Sequence, residues 1–233
     1  MNSRPNTNGV ADSEPPQTTS VLRGHRLFVA RLAWVVMTTL SIGLFVASIP
    51  ATYVRLRTKC QGAGCELWLL SPDRARDLED LGLSVGHYAA YNVALAIFLV
   101  LGYWMVGATL FWKFWKRSDN RLVLYASIAL VTFGAMQADT LRWLAKANPV
   151  WDLPVALVYF VGNVSFFVLF CAFPDGRFVP RWTRWAAAVW IAYHLLYSFF
   201  PDSPFSPPSW PALINIPLFL GLIGSLVVGQ IYR

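Results

Sequence analysis

Charge is scarce in this chain: 13% of its 233 residues are Asp, Glu, Lys or Arg, where a soluble domain carries about 25%. That scarcity, beside 56% hydrophobic residues, excludes an ordinary water-soluble globule. Histidine is scarcer still, with three in all. A metal-dependent membrane enzyme needs several His or carboxylates at ligand spacing. Three scattered His and one carboxylate inside an apolar run, Asp139, do not supply that, so neither a metal nor a cofactor is expected. No polar stretch has the length of a soluble catalytic domain. The longest segments outside the apolar runs are the N-terminal tail and a loop over 55–87. With no phosphate-binding or kinase motif in it, the chain is expected to be non-catalytic.

What the chain has instead is six long uncharged runs, at 32–54, 88–112, 122–138, 153–174, 185–201 and 211–232. A helix rises about 1.5 Å per residue, so about 20 apolar residues cross the hydrocarbon core. The expected fold is an all-α membrane protein, a six-transmembrane-helix bundle with spans at about 30–54, 88–112, 121–143, 151–173, 184–200 and 211–231. The first span reads as a retained anchor, since the run starts late and is too long for a signal-peptide core. Residues 1–22, rich in Ser, Thr, Asn and Pro without apolar periodicity, read as a disordered cytoplasmic tail. The membrane domain then covers 23–233.

Basic residues set the direction. If every run spans, twelve Lys and Arg fall on one side, among them Arg23, Arg26, Lys113, Lys116, Arg177, Arg181 and Arg184. Seven fall on the other: Arg55, Arg57, Lys59, Arg74, Arg76, Arg142 and Lys146. Short-loop Lys/Arg excess marks the cytoplasm, so both termini are expected there and 55–87 is extracytoplasmic. The net charge of +7 is explained by this asymmetry; nucleic acid is not an expected partner, and the lipid bilayer is. Trp112, Trp115, Trp143, Trp151, Trp182, Trp185 and Trp210 sit at the span ends, where amphipathic rings prefer the headgroup level. Trp34, Trp104 and Trp190 lie within spans and are expected to pack between helices.

The outer loop contains Cys60-Gln-Gly-Ala-Gly-Cys65. Glycines allow a tight turn and the outer side is oxidising, which suits a disulfide; two free or metal-binding thiols are the alternative, though no His or further Cys lies nearby to complete a zinc site. Cys171 is expected to be a packing residue. Ser71-Pro72-Asp73 has the cap, first-position proline and first-turn acid of a short helix, which either lies on the membrane surface or covers an outward-facing pocket.

The polar groups inside the runs are the candidate site. Asp139 is the most unusual, because a carboxylate facing lipid is expensive; Arg142, three residues on, shares its helical face. The two form either a structural ion pair or part of a ligand site. His194, with Tyr197 at i+3, is either a histidine satisfied by a neighbouring hydroxyl or carbonyl, or a group that titrates near neutrality. Asn92 opens the second run one turn from Tyr88. All lie toward the outer half, and the expected ligand-binding cavity joins Asn92, Asp139, Arg142, His194 and Tyr197. Gly221, Ser225 and Gly229, four apart, make a small-residue seam, for internal packing or for a homodimer face.

The fourth connector reads Phe173-Pro174-Asp175-Gly176-Arg177-Phe178-Val179-Pro180-Arg181-Trp182. This run resembles the Phe-Pro-Asp-Gly-Arg connector in the multi-pass membrane sensor regions of bacterial sensor histidine kinases. The first span, the outer loop, the Gly-Leu-Ser…Tyr-Ala-Ala-Tyr entry to the second span and the Lys-Arg-Ser-Asp-Asn turn at 116–120 look similar too, so the resemblance covers most of 22–233. It implies a bacterial inner-membrane signalling input module that passes an external or membrane signal to a cytoplasmic kinase. The phospho-accepting helix and ATP-binding domain of such kinases are not found in these residues. An accessory subunit of a membrane complex and a small transporter stand as alternatives.

Overall fold

A computed structural model describes residues 25–58, 60, 68–116, 121–174 and 176–232. Among these residues the regular structure is entirely helical. The helices are α1 His25–Leu56, α2 Pro72–Asp80, α3 Val85–Lys116, α4 Arg121–Gln137, α5 Thr140–Ala147, α6 Asp152–Ala172, α7 Thr183–Phe199 and α8 Ala212–Ile231. Helices are what the composition demands, because backbone N–H and C=O groups have no water to pair with in lipid. Four elements (α1, α3, α6 and α8) are long and apolar enough to cross a membrane, and a fifth if α4 and α5 count as one bent span. α7 is apolar but has 17 residues, a rise of about 25 Å.

The span expected over 121–143 is not one helix. α4 ends at Gln137, and α5 starts at Thr140 bent by 66° from it. α3 extends beyond both expected ends. The tail at 1–22, together with residues 61–67 and so Cys65, lies outside the described residues.

α6 is the centre of the bundle. Half of its most apolar stretch is buried, against 22% for α1 and 17% for α3 and α8. It serves two cores. Its first half packs Val155, Val158 and Tyr159 against Leu44 of α1, Ala135 of α4, and Leu141 and Leu144 of α5. Its second half packs Phe167 and Cys171 against Ala187 and Trp190 of α7 and Leu222 of α8. α3 lies outside, mainly against α4, with Phe98 and Met105 exposed on its free face. Helices that are apolar all round belong in lipid or a core.

Close approach at α4 depends on glycines, Gly107 of α3 among them, where a Cβ would lie 2.9 Å from Val131 Cγ2. A Cβ at Gly162 of α6 would lie 2.8 Å from Met136 Sδ and 3.2 Å from the Thr132 carbonyl of α4. At Gly134 of α4 a Cβ would collide with Tyr103 of α3. Small residues at such crossings let backbones pack where lipid supplies no hydrophobic drive.

The three mid-span tryptophans tie helices together. Trp34 stacks on Phe111 with centroids 3.6 Å apart, and its Nε1 donates to Ser127 Oγ at 2.8 Å. Ser127 in turn donates to the Gly107 carbonyl at 2.7 Å, so one buried hydroxyl links α1, α3 and α4. Trp104 donates to the Val131 carbonyl at 3.2 Å, and Trp190 to the Asn163 carbonyl at 3.1 Å. Each indole N–H is thus paired in a place without water.

Of the small-residue seam, Ser225 and Gly229 are buried, whereas Gly221 is exposed with nothing within 4 Å of a Cβ. Gly229 packs 3.6 Å from Thr183 and from the Val179 carbonyl, and Gln230 Nε2 donates to the Phe170 carbonyl at 2.8 Å. The end of α8 is therefore stitched to α6 and to the α6–α7 connector, with Ser225 and Gly229 turned inward and Gly221 outward. The connector turns at Gly176, φ 71, a conformation glycine adopts without strain. In the outer loop α2 starts as expected: Ser71 Oγ accepts from the Arg74 N–H at 3.3 Å, and Pro72 takes the first position.

Candidate functional site

The site begins where α4 breaks. Asp139 has φ 51, the one positive-φ residue other than glycine among the described residues. Asp is among the few side chains that tolerate the left-handed region. It occupies the N-cap position of α5 but makes no capping hydrogen bond. Its carboxylate turns instead to Arg142, whose Nε lies 3.3 Å from Asp139 Oδ1. The pair read from an i, i+3 spacing is therefore present, although the four residues do not form one continuous span.

Arg142 is the hub. Its Nη2 donates to the Tyr197 hydroxyl of α7 at 3.3 Å, and its guanidinium lies 5.5 Å from the centroid of the Tyr159 ring of α6. Three helices converge on one cation. A guanidinium suits this, since its planar fork donates in several directions and its face stacks on aromatic rings. The Arg142 and Asp139 side chains are each about half exposed, so the hub is open to one side.

Behind Tyr197 sits His194. Their rings meet edge to face at 6.0 Å, and Trp190 and Tyr193 bring centroids within 4.4 Å and 5.3 Å of the imidazole. His194 is 7% exposed, and neither ring nitrogen has a hydrogen-bond partner among the described residues. The simple satisfied histidine that its neighbours suggested is not what the packing gives; Tyr197 offers its ring, and its hydroxyl goes to Arg142.

Asn92 does not join the others. Its Nδ2 donates to the Tyr88 carbonyl on its own helix at 2.9 Å. α3 packs on α4, α1 and α2, whereas α7 packs on α6 and α8. Four of the five expected site residues form one connected chain, Asp139–Arg142–Tyr197–His194, and the fifth stands apart. Asn163, the mid-span amide, is engaged elsewhere: Nδ2 donates to the Tyr159 carbonyl at 2.9 Å and to Met136 Sδ of α4 at 3.5 Å.

The chain borders an open groove of about 610 Å³ between α5, the start of α6 and the end of α7. Arg142 and Lys146 supply cations to its wall, and Asp152 supplies an acid. Tyr159, Tyr197 and Ser198 supply hydroxyls, and Leu153, Val155, Ala156 and Phe199 are apolar. The Ser198 Oγ is buried with no hydrogen-bond partner among the described residues. A mostly apolar cleft of this size with a few convergent polar groups is the ordinary form of a small-molecule site. Its polar chemistry favours a ligand bearing a carboxylate or phosphate against Arg142, with an apolar part along α6.

Sequence reasoning missed Tyr159, Lys146, Asp152 and Ser198. Nothing local marks them, because the bend after Gln137 is what lays α5 across α6. Among the described residues no group of three or more His, Cys, Asp or Glu is placed to hold a metal. Cys60 is buried and disulfide-bonded; its expected partner Cys65 lies outside the described residues. Compared with family models, with characterised proteins and with solved structures, the chain matches none.

Proposed function

We propose that this chain is a non-catalytic sensor or signalling input module of a bacterial inner membrane. In this reading α1, α3, the α4–α5 pair, α6, α7 and α8 make six spans with both termini cytoplasmic, and a Cys60–Cys65 bridge closes the outer loop. The groove beside Arg142 takes a small ligand, and its occupancy changes how α5 and α7 are held. The displacement passes down α7 to the α6–α7 connector and the end of α8, toward a cytoplasmic kinase or a second copy of the chain. The observation that carries the reading is the Asp139–Arg142–Tyr197–His194 chain, which joins a broken helix to a continuous one beside an open groove. The connector's resemblance to histidine-kinase input regions supports the role, and the inner stitching of Gln230 to Phe170 gives the signal an exit.

The broken α4–α5 pair favours a second reading, a small transporter, since transporters use interrupted helices. Position weighs against it. The break follows 17 residues of α4, about 25 Å along the helix, so it lies near one membrane surface and not at the midplane where transport sites sit.

Two experiments test the proposal. Single cysteines at Asn148, Gly176 and Ser203, probed with an impermeant thiol reagent in cells, should label at 148 and 203 and be protected at 176. Labelling of 176 and 203 from the same side would end the six-span topology. The kinase expected to copurify should then lose its signal-dependent phosphorylation in the Asp139→Asn/His194→Ala double variant; unchanged signalling in that variant would sink the sensor reading.

A further inference from the structure

α5 borders a second groove, which shares Lys146 with the lining of the proposed ligand site and none of its other residues. It lies between the end of α1 and α5, encloses about 610 Å³, and is lined by Pro50, Ala51, Val54, Arg55, Thr58, Trp143, Lys146 and Ala147. Two cations flank one indole: the Arg55 guanidinium lies 5.3 Å from the Trp143 ring centroid and the Lys146 ammonium 4.9 Å. Both lie within the distance at which an indole ring attracts a cation. Below them, toward the middle of α1, the wall is Pro50, Ala51 and Val54, with Val54 66% exposed. Trp143 itself is buried at 8%, so the cations are mounted on a rigid base.

We infer that this groove is a binding site for a single anionic phospholipid, with the phosphate held between Arg55 and Lys146 and an acyl chain lying along Ala51 and Val54. Charge and polarity change together along the groove as they do along a lipid: cations and the Thr58 hydroxyl at the end of α1, then carbon only. A Trp at the boundary marks headgroup depth. A guanidinium and an ammonium are both strong donors to phosphate oxygens. A free anion would use the cations and leave the apolar wall unused, which is why a lipid is the better occupant. The inference requires that α1 lies in a bilayer, and it stands whether or not the groove beside Arg142 is a sensor site.

The test is native mass spectrometry of the purified full chain in detergent, titrated with short-chain phosphatidylglycerol and, separately, phosphatidylcholine. One phosphatidylglycerol should be retained with at least tenfold preference over phosphatidylcholine. That preference should vanish in Arg55→Gln/Lys146→Gln, as two surface cations together are worth roughly that factor or more for an anionic lipid. Arg74→Gln/Arg76→Gln, which removes charge from α2 alone, should leave it unchanged. Each single variant, Arg55→Gln or Lys146→Gln, should lower the preference by about half of the logarithmic effect, and serves as the readout should the double variant unfold. Equal retention of the two lipids, a preference that survives loss of Arg55 and Lys146, or displacement of the lipid by inorganic phosphate at equal concentration would overturn the assignment.

Discussion

Arg142 reaches from α5 to α7, its Nη2 donating to the Tyr197 hydroxyl at 3.3 Å while its Nε stays 3.3 Å from the Asp139 carboxylate that precedes the same helix. One side chain thus closes the bend it follows and ties it to a helix 55 residues later. The connection is physical, and its consequences can be measured.

Arg142→Gln and Tyr197→Phe each remove the α5–α7 tie. Amide hydrogen exchange across 140–147 should quicken in both variants, more in Arg142→Gln, which also loses the Asp139 pair and the Tyr159 contact. The double variant should add little, because residues sharing one hydrogen bond are not additive. Additive exchange in the double variant would mean that the tie is not what holds α5 down.

At Asp139 the backbone and the side chain have separate costs. Asp139→Gly relieves the left-handed conformation and loses the ion pair, two effects of opposite sign. Asp139→Ala loses the pair and keeps the strain, at about 1–2 kcal/mol for the conformation. The alanine variant should therefore unfold at lower denaturant than the glycine variant, by an amount corresponding to about 1 kcal/mol. Equal stability of the two in detergent unfolding would show that φ 51 is not maintained.

His194 carries two buried nitrogens without hydrogen-bond partners among the described residues, and unsatisfied buried polar groups cost about 1–3 kcal/mol. His194→Leu should raise stability by about 1 kcal/mol while abolishing response to the ligand. A destabilised His194→Leu protein would point to a hydrogen bond that the imidazole makes in the bilayer.

Gly162 sets the α4–α6 distance. Gly162→Leu should destabilise by about 1–3 kcal/mol through overpacking, whereas Gly221→Leu, exposed on α8 with open space around it, should be close to neutral. Thermal unfolding in micelles separates them. Similar losses at both positions would mean that Gly221 faces a partner, a second copy of the chain being the first to consider.

The polar node at Ser127 offers a cleaner pairwise energy. A double-mutant cycle of Trp34→Phe and Ser127→Ala should return a coupling of about 0.6 kcal/mol, the usual value for interhelical hydrogen bonds in membranes. A coupling near zero would detach α1 from α4 at that level.

Much of this molecule was readable residue by residue. The capped start of α2 followed from Ser71-Pro72-Asp73, the i, i+3 pairing from Asp139 and Arg142, and the interior role of Trp34, Trp104 and Trp190 from their distance to any span end. The reading that grouped Asn92 with His194 rested on both lying toward one end of their runs, but α3 and α7 pack on different helices. Depth along a helix is legible from sequence; which neighbour a face meets is not.

The reason lies in the solvent. In water an amphipathic helix carries its orientation in its apolar period. Helices destined for lipid are apolar on every face, so that period is weak, and packing is decided by where glycines and hydroxyls allow close approach. Sequence alone determined that this chain is helical, that several of its helices are long and apolar enough to cross a membrane, and which few polar groups would be at issue. Tertiary structure decided the rest: that α4 stops at Gln137 and turns by 66°, that α6 lies at the centre, and that Arg142 lands between Tyr159 and Tyr197. Those facts depend on contacts between segments tens of residues apart, and no local pattern of hydropathy or charge encodes them.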